Sequence, residues 1–182
     1  MELIISAAIT LLLMVWFILI YNELTKERIE TDEAWSGIGS MLQQRNDVIP
    51  SLVEIVKGYT GHEHKTLTEV IQWRNKSAIA HSPTEMSESE LGLQRSIADF
   101  YSVSEQYPDL KANENFLLLQ KQLTAYEDSI SKSRRYYNGV VREYNQSISV
   151  FPKVLVAKLF GFEKKSFFQE IESAHKPPII KF

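Results

Sequence analysis

The stretch from Leu3 to Tyr21 holds nineteen consecutive residues without a charge, and only Ser6 and Thr10 among them carry a small polar side chain. At helical rise it covers about 28 Å, close to the hydrocarbon width of a bilayer. A core helix of a small soluble domain keeps a polar stripe, whereas this run is apolar on every face. A cleaved signal peptide would open with basic residues and close on small ones. Here Met1-Glu2 has neither Lys nor Arg, and the run closes on Trp16-Phe17-Ile18-Leu19-Ile20-Tyr21. Residues 1-22 therefore read as a retained transmembrane anchor. Trp16 and Tyr21 suit an interface, Lys26 and Arg28 follow closely, and no basic side chain precedes the run. The positive-inside rule then gives a single-pass protein of the cell membrane, N-terminus outside and the remainder cytoplasmic.

The remaining residues, about 160, can bury a core without staples. Cysteine is absent, which excludes disulfides, thiolate catalysis and iron–sulfur ligation. The net charge of −3 comes from interspersed acids and bases, so no global field draws in nucleic acid. Seven glycines and six prolines favour long regular elements over a turn-rich β fold.

Periodicity makes those elements helices. Trp35, Ile38, Leu42, Arg45, Ile49, Leu52, Val56 and Tyr59 alternate steps of three and four. A second seam runs Phe116, Leu119, Leu123, Tyr126, Ile130, Arg134, Tyr137, Val141, Tyr144, Ile148, Phe151. Between these two long helices, Thr60 to Glu63 reads as a capping box opening a helix with Leu67, Val70, Ile71, Arg74 and Ala78 inward. Ser87 to Glu90 reads as the opening of another that uses Leu91, Leu93, Ile97 and Phe100. The fold expected is all-α, an N-terminal transmembrane helix continuing into an antiparallel up-down bundle of two long and two shorter helices. The bundle is assigned to residues 23-152, and 153-182 to an apolar and basic C-terminal segment. Pro50 should bend the first helix without ending it. Gly37 and Gly39 read as packing positions in preference to a hinge.

The chain resembles the LemA family. The residues that carry the likeness are Tyr21-Asn22, Asp32-Glu33-Ala34-Trp35-Ser36, Gln44-Arg45-Asn46-Asp47-Val48-Ile49-Pro50, Leu52-Val53 and Val56-Lys57-Gly58-Tyr59 with His62-Glu63. Tyr107-Pro108-Asp109-Leu110-Lys111-Ala112-Asn113, Phe116, Glu127, Arg134, Tyr137-Asn138, Tyr144-Asn145, Phe151-Pro152 and Gly161-Phe162 continue it. Gln44 departs from the family's usual basic residue. The resemblance implies a short external N-terminus, one membrane helix and a cytoplasmic helical bundle, with no established enzyme activity and a loose association with membrane organisation.

Arg45 and Arg134 occupy core positions of apolar seams, where an unpaired charge costs several kcal/mol. Each needs a carboxylate, and Glu127, Asp128, Asp47 and Glu105 are the candidates. Together with Asn138 they read as a structural polar layer, the alternative being a ligand-facing pocket. Asn145 fits the same reading. His62-Glu63-His64 has the wrong spacing for a metal, since helical residues two apart diverge by about 200°, and His81 and His175 have no partner in sequence. Glu85 to Glu90 reads as an acidic, serine-rich solvated connection. No catalytic, cofactor or metal residues are assigned. Beyond Pro152, Lys153, Lys158, Phe160, Phe162, Lys164 and Lys165 combine aromatic and basic character. They are candidate membrane-surface contacts, or the aromatics cap the open end of the core. The function expected is a non-enzymatic, membrane-anchored scaffold or adaptor facing membrane-protein partners or lipid, with room for self-association. A ligand-sensing or enzymatic bundle around Arg45 and Arg134 is the alternative.

Overall fold

A computed structural model describes residues 1–59, 64–80 and 83–168. The described residues form six helices and no strand: α1 (Glu2–Lys57), α2 (His64–Ile79), α3 (Pro83–Ser104), α4 (Pro108–Lys111), α5 (Glu114–Ser147) and α6 (Lys153–Phe160). The chain is all-helical, as its periodicity predicts. α1 carries the apolar run and the first seam as one uninterrupted helix that passes through Pro50. The capping box at Thr60 to Glu63 lies outside the described residues.

The chain divides into two compact units, and α1 and α5 contribute to both. One comprises Met1–Ile38 and Ser133–Phe167; the other comprises Gly39–Lys132 with Phe168. In the second unit, α1, α2, α3 and α5 enclose a core of Ile49, Leu52, Val56, Val70, Leu93, Phe116 and Leu123, with Leu110 of α4. Asn113 donates to the Tyr59 hydroxyl at 2.9 Å and Arg45 meets Glu127. Numbers rise along α1 as they fall along α5, so the two segments are antiparallel within this unit. α2 turns in Leu67, Val70 and Ser77, while Ile71 and Ala78, expected inside, face solvent. Trp73 explains this rotation: its ring lies on Gly92 of α3, where an added Cβ would collide with it. Glycine is required there by close approach of the two helices.

In the first unit, the α1 segment again runs against α5. Ser147 donates to Glu27 at 3.0 Å and Tyr136 to Glu30 at 3.2 Å, while the Trp35 and Tyr137 rings lie 5.3 Å apart. α5 ends at Ser147, short of the Phe151 predicted from the seam, and Phe151 is exposed. α6 then packs Val156 and Ala157 onto Ile20, Leu24, Tyr144 and Ile148, with Phe17 alongside. Gly161 closes α6 in the left-handed region (φ 70°), which L side chains rarely adopt. Its turn lets the Phe162 N–H donate to the Ala157 carbonyl at 2.9 Å. Beyond it the chain is pinned to α5. Asn145 exchanges two hydrogen bonds with the Lys165 backbone, at 2.8 and 2.9 Å, and the Tyr137 hydroxyl donates to the Ser166 carbonyl at 2.8 Å. The two amide-bearing tyrosine pairs of α5 thus include a clamp for a following segment. A Cβ at Gly37 or Gly39 would meet nothing within 4 Å, so neither is a close-packing position as expected.

Candidate functional site

The most concentrated chemistry is a charged centre inside the second unit. Arg45 enters it from α1 because its seam position points to the middle of the helices. Its side chain is fully buried, and so is that of Glu90, delivered by α3. Arg45 Nη1 donates to Glu90 Oε2 at 2.6 Å and Nη2 to Glu90 Oε1 at 2.7 Å, a two-toothed pairing. Nη1 also donates to Glu127 Oε1 of α5 at 3.1 Å, and Nη2 to Asn46 Oδ1 at 3.2 Å. Ser77 of α2 donates to Glu90 Oε1 at 2.7 Å, Asn46 Nδ2 donates to Ser77 at 3.3 Å, and Gln94 donates to Glu127 Oε2 at 3.3 Å. Arg74 Nε donates to the Asn46 carbonyl at 3.1 Å. Four helices therefore meet through one polar network.

Electrostatics favours the ionised form of Arg45. Burial alone would lower the Arg45 pKa, but the hydrogen bonds and charges of Glu90 and then Glu127 outweigh it and hold the value above normal. Tyr101 lies close enough to feel Glu127. Burial first, and that charge second, push its phenol up to about 12, and its hydroxyl, shielded from solvent, makes no hydrogen bond.

Two sequence expectations need correction here. Glu85 to Glu90 is no solvated connection: α3 begins at Pro83, and Met86, Ser87, Ser89 and Glu90 are buried within it. Serines tolerate that burial because a hydroxyl can bond the backbone of its own helix, as Ser89 does to the Met86 carbonyl at 3.0 Å. Of the candidate carboxylates Glu127 does meet Arg45, but the fully buried one that pairs with it through both oxygens is Glu90, which was not among them. Asp47, Asp128 and Glu105 are exposed, and Asp47 accepts from Gln43 instead. An apolar position four residues ahead of Glu90, Met86, and the spacing of Glu90 to Leu93 and Ile97 are the signal that could have placed Glu90 on the inner face.

The remaining named residues fall elsewhere. Arg134 and Asn138 belong to the first unit and are half-buried there. Lys153 forms ion pairs with Glu23 at 2.9 Å and Glu27 at 3.2 Å; burial lowers its pKa, but these two carboxylates raise it further, to a net value above normal. Lys165 pairs with Asp32 at 2.8 Å. Phe162 is buried, with the Arg28 guanidinium 5.3 Å above its ring. Lys158, Phe160 and Lys164 are exposed. His62, Glu63, His81 and His175 lie outside the described residues, among which no group of three His, Asp or Glu side chains is arranged to hold a metal.

Two clefts on the α2–α3 hairpin, of about 260 and 470 Å³, open on either side of Trp73, and Arg45 lines neither. The apolar run of α1 is a single helix long and apolar enough to cross a membrane, with its side chains almost wholly uncovered by protein. Together these features define a class: an all-helical protein with one N-terminal apolar helix suited to a membrane anchor and a body organised around a buried arginine–carboxylate centre. The chain belongs to the LemA family, whose model matches residues 34–182. It is 30% identical over 155 residues to Protein LemA of Metamycoplasma hominis, covering 83% of this chain and 69% of that protein. It is also 23% identical to Magnetosome protein MamQ 2 of Paramagnetospirillum magneticum, over 88% of this chain and 68% of that one. Magnetosome protein MamQ of Magnetospirillum gryphiswaldense is 23% identical over 96% and 71% of the two chains. The family match begins at Ala34, beyond the apolar run, and takes in Arg45, Glu90 and Glu127.

Proposed function

We propose that this protein is a membrane-anchored, non-enzymatic scaffold that presents its helical surface to membrane-protein partners. The observation that carries this reading is the closed charged centre. Both terminal nitrogens of Arg45 are met by protein carboxylates or an amide, its Nε alone being buried without a hydrogen-bond partner, so the group is committed to holding four helices in register. A ligand site would instead leave convergent polar groups lining an open cavity. The uncovered apolar helix supports the anchor, and the basic residues after it, Lys26 and Arg28, support an orientation with the helical body cytoplasmic.

The test is purification of the full chain from crosslinked membranes, beside a double variant, Arg45→Met with Glu90→Leu, that replaces the central pair by apolar side chains. A scaffold should carry the same membrane proteins in fixed proportion in both forms. Recovery without any stoichiometric partner overturns the reading. Loss of partners in a double variant that keeps its helical content transfers function to the charged centre. Protease treatment of sealed vesicles checks orientation: the helical body should be protected when the cytoplasmic face is inside.

A further inference from the structure

α6 has two apolar faces, and only one of them is covered. Val156 and Ala157 are buried against α1 and α5, while Leu155 and Leu159, four residues apart, form an exposed stripe, 52% and 69% exposed, and Phe151, in the turn just before α6, is 78% exposed. Phe160 is also exposed on its outer side, and Lys158 stands beside the stripe. A helix with apolar residues on both faces is unstable in water unless something covers the second one.

The covered face says what lies opposite. α6 rests on Phe17 and Ile20, and the Tyr21 ring lies 4.8 Å from Phe160 and 5.7 Å from Phe162. Phe17, Ile20 and Tyr21 are the last turn of the uncharged run. If that run spans a bilayer, its last turn lies within about 6 Å of the hydrocarbon boundary, and anything packed on it lies at the same depth. Ending the span earlier does not remove this conclusion: Leu3 to Trp16 would cover only about 21 Å, well short of the hydrocarbon thickness of about 30 Å.

We infer that α6 is an interfacial membrane helix, lying in the plane of the bilayer surface beside the anchor, with Phe151, Leu155, Leu159 and Phe160 in lipid. Lys158 and Lys164 are the cations left to face headgroups. Lys153 and Lys165 are turned into ion pairs with the protein's own carboxylates and fasten the segment to α1. The inference rests on the anchor reading, and the occupant is lipid because the anchor brings lipid to this depth.

The absence of cysteine allows single labels in the full chain. A nitroxide is attached at Leu155→Cys, Leu159→Cys, mid-span Leu12→Cys, or Leu118→Cys, an exposed position on α5, and each protein is reconstituted alone in phosphatidylcholine–phosphatidylglycerol vesicles. Retained helical content shows that each variant folds. Labels at 155 and 159 should be reached by oxygen in preference to a water-soluble nickel complex, at a depth of about 5–10 Å below the headgroups, while the label at 118 favours the nickel complex. Water accessibility at 155 and 159 equal to that at 118, with 12 in hydrocarbon, overturns the inference and leaves the anchor standing. Exclusion of both reagents from 155 and 159, relieved on dilution into excess lipid, assigns the stripe to a second copy and also overturns it. Water access at 12 defeats the anchor reading, and this inference with it.

Discussion

In the unit built around Arg45, charged groups are buried at the centre and apolar side chains close over them; in the unit that carries α6, charged groups stay at the rim and apolar side chains are left uncovered. Both units draw on the same two helices, α1 and α5. The first solution needs two more helices, because an arginine in a low dielectric must be reached by carboxylates from several directions. Glu90 of α3 and Glu127 of α5 supply them, with Ser77 of α2 completing the set. The unit that carries α6 has only that helix and a pinned segment beside it, too little protein to cover its aromatic surface. Its ion pairs, such as Lys165 with Asp32, are partly in solvent. Charge is therefore energetically decisive in one unit and nearly incidental in the other.

Substitutions at the two kinds of charge should separate the units most strongly. Glu90→Ala leaves Arg45 buried with only a half-exposed carboxylate, and should destabilise the protein by about 3–5 kcal/mol. The joint replacement Arg45→Met/Glu90→Leu removes both charges at once and should cost far less, or nothing. Chemical denaturation followed by circular dichroism of the full chain in detergent reads both. Equal losses for the single and double variants would show that the centre matters through packing and not through charge.

A smaller effect is expected at the contact that brings α2 and α3 together. Gly92→Ala places a methyl group against the Trp73 ring, and overpacking of this kind costs about 1–3 kcal/mol, more than the helix propensity gained by replacing glycine. Trp73→Leu should relieve most of the loss when the two are combined. A double variant no more stable than Gly92→Ala alone would place the strain elsewhere.

Alkaline pH probes the same unit through Tyr101. Its folded value of about 12 lies above the ordinary 10.0, so the folded state holds the proton more tightly than the unfolded state. The associated stability is complete below pH 10.0 and is lost as pH rises toward about 12. Tyr101→Phe should flatten that decline, measured as melting temperature against pH, and should remove one late step from the tyrosinate absorbance titration. An unchanged slope would exclude Tyr101 as its source.

The smallest effect belongs to the rim. Lys165→Ala should change stability by no more than about 1 kcal/mol, with the difference shrinking as salt is raised. A loss comparable to that of Glu90→Ala would erase the distinction between the two units.

Much of this architecture is legible in the residues themselves. The uncharged run from Leu3 to Tyr21 requires no partner to be read, because a bilayer's thickness is a property of lipid. The two seams declare long helices because their spacing repeats within each helix, and a lone arginine in such a seam declares that a carboxylate exists. Glu127 was among the carboxylates the sequence offered, but the buried one, Glu90, could not be read. Glu90 stands in a stretch of serines and acids whose composition suits solvent, and only the close approach of α3 to α1 turns Glu90 inward. The same holds at the other end. Lys153, Lys165 and Phe162 share the composition of a membrane-surface segment, but contacts with Glu23, Glu27, Asp32 and Arg28, more than a hundred residues away, draw them toward the protein and leave Phe151, Leu155 and Leu159 outside. Local periodicity and composition determine the helices and the apolar run suited to an anchor, since those signals span a few residues. Pairing of charges and exposure of faces depend on groups distant along the chain, and only the tertiary structure decides them.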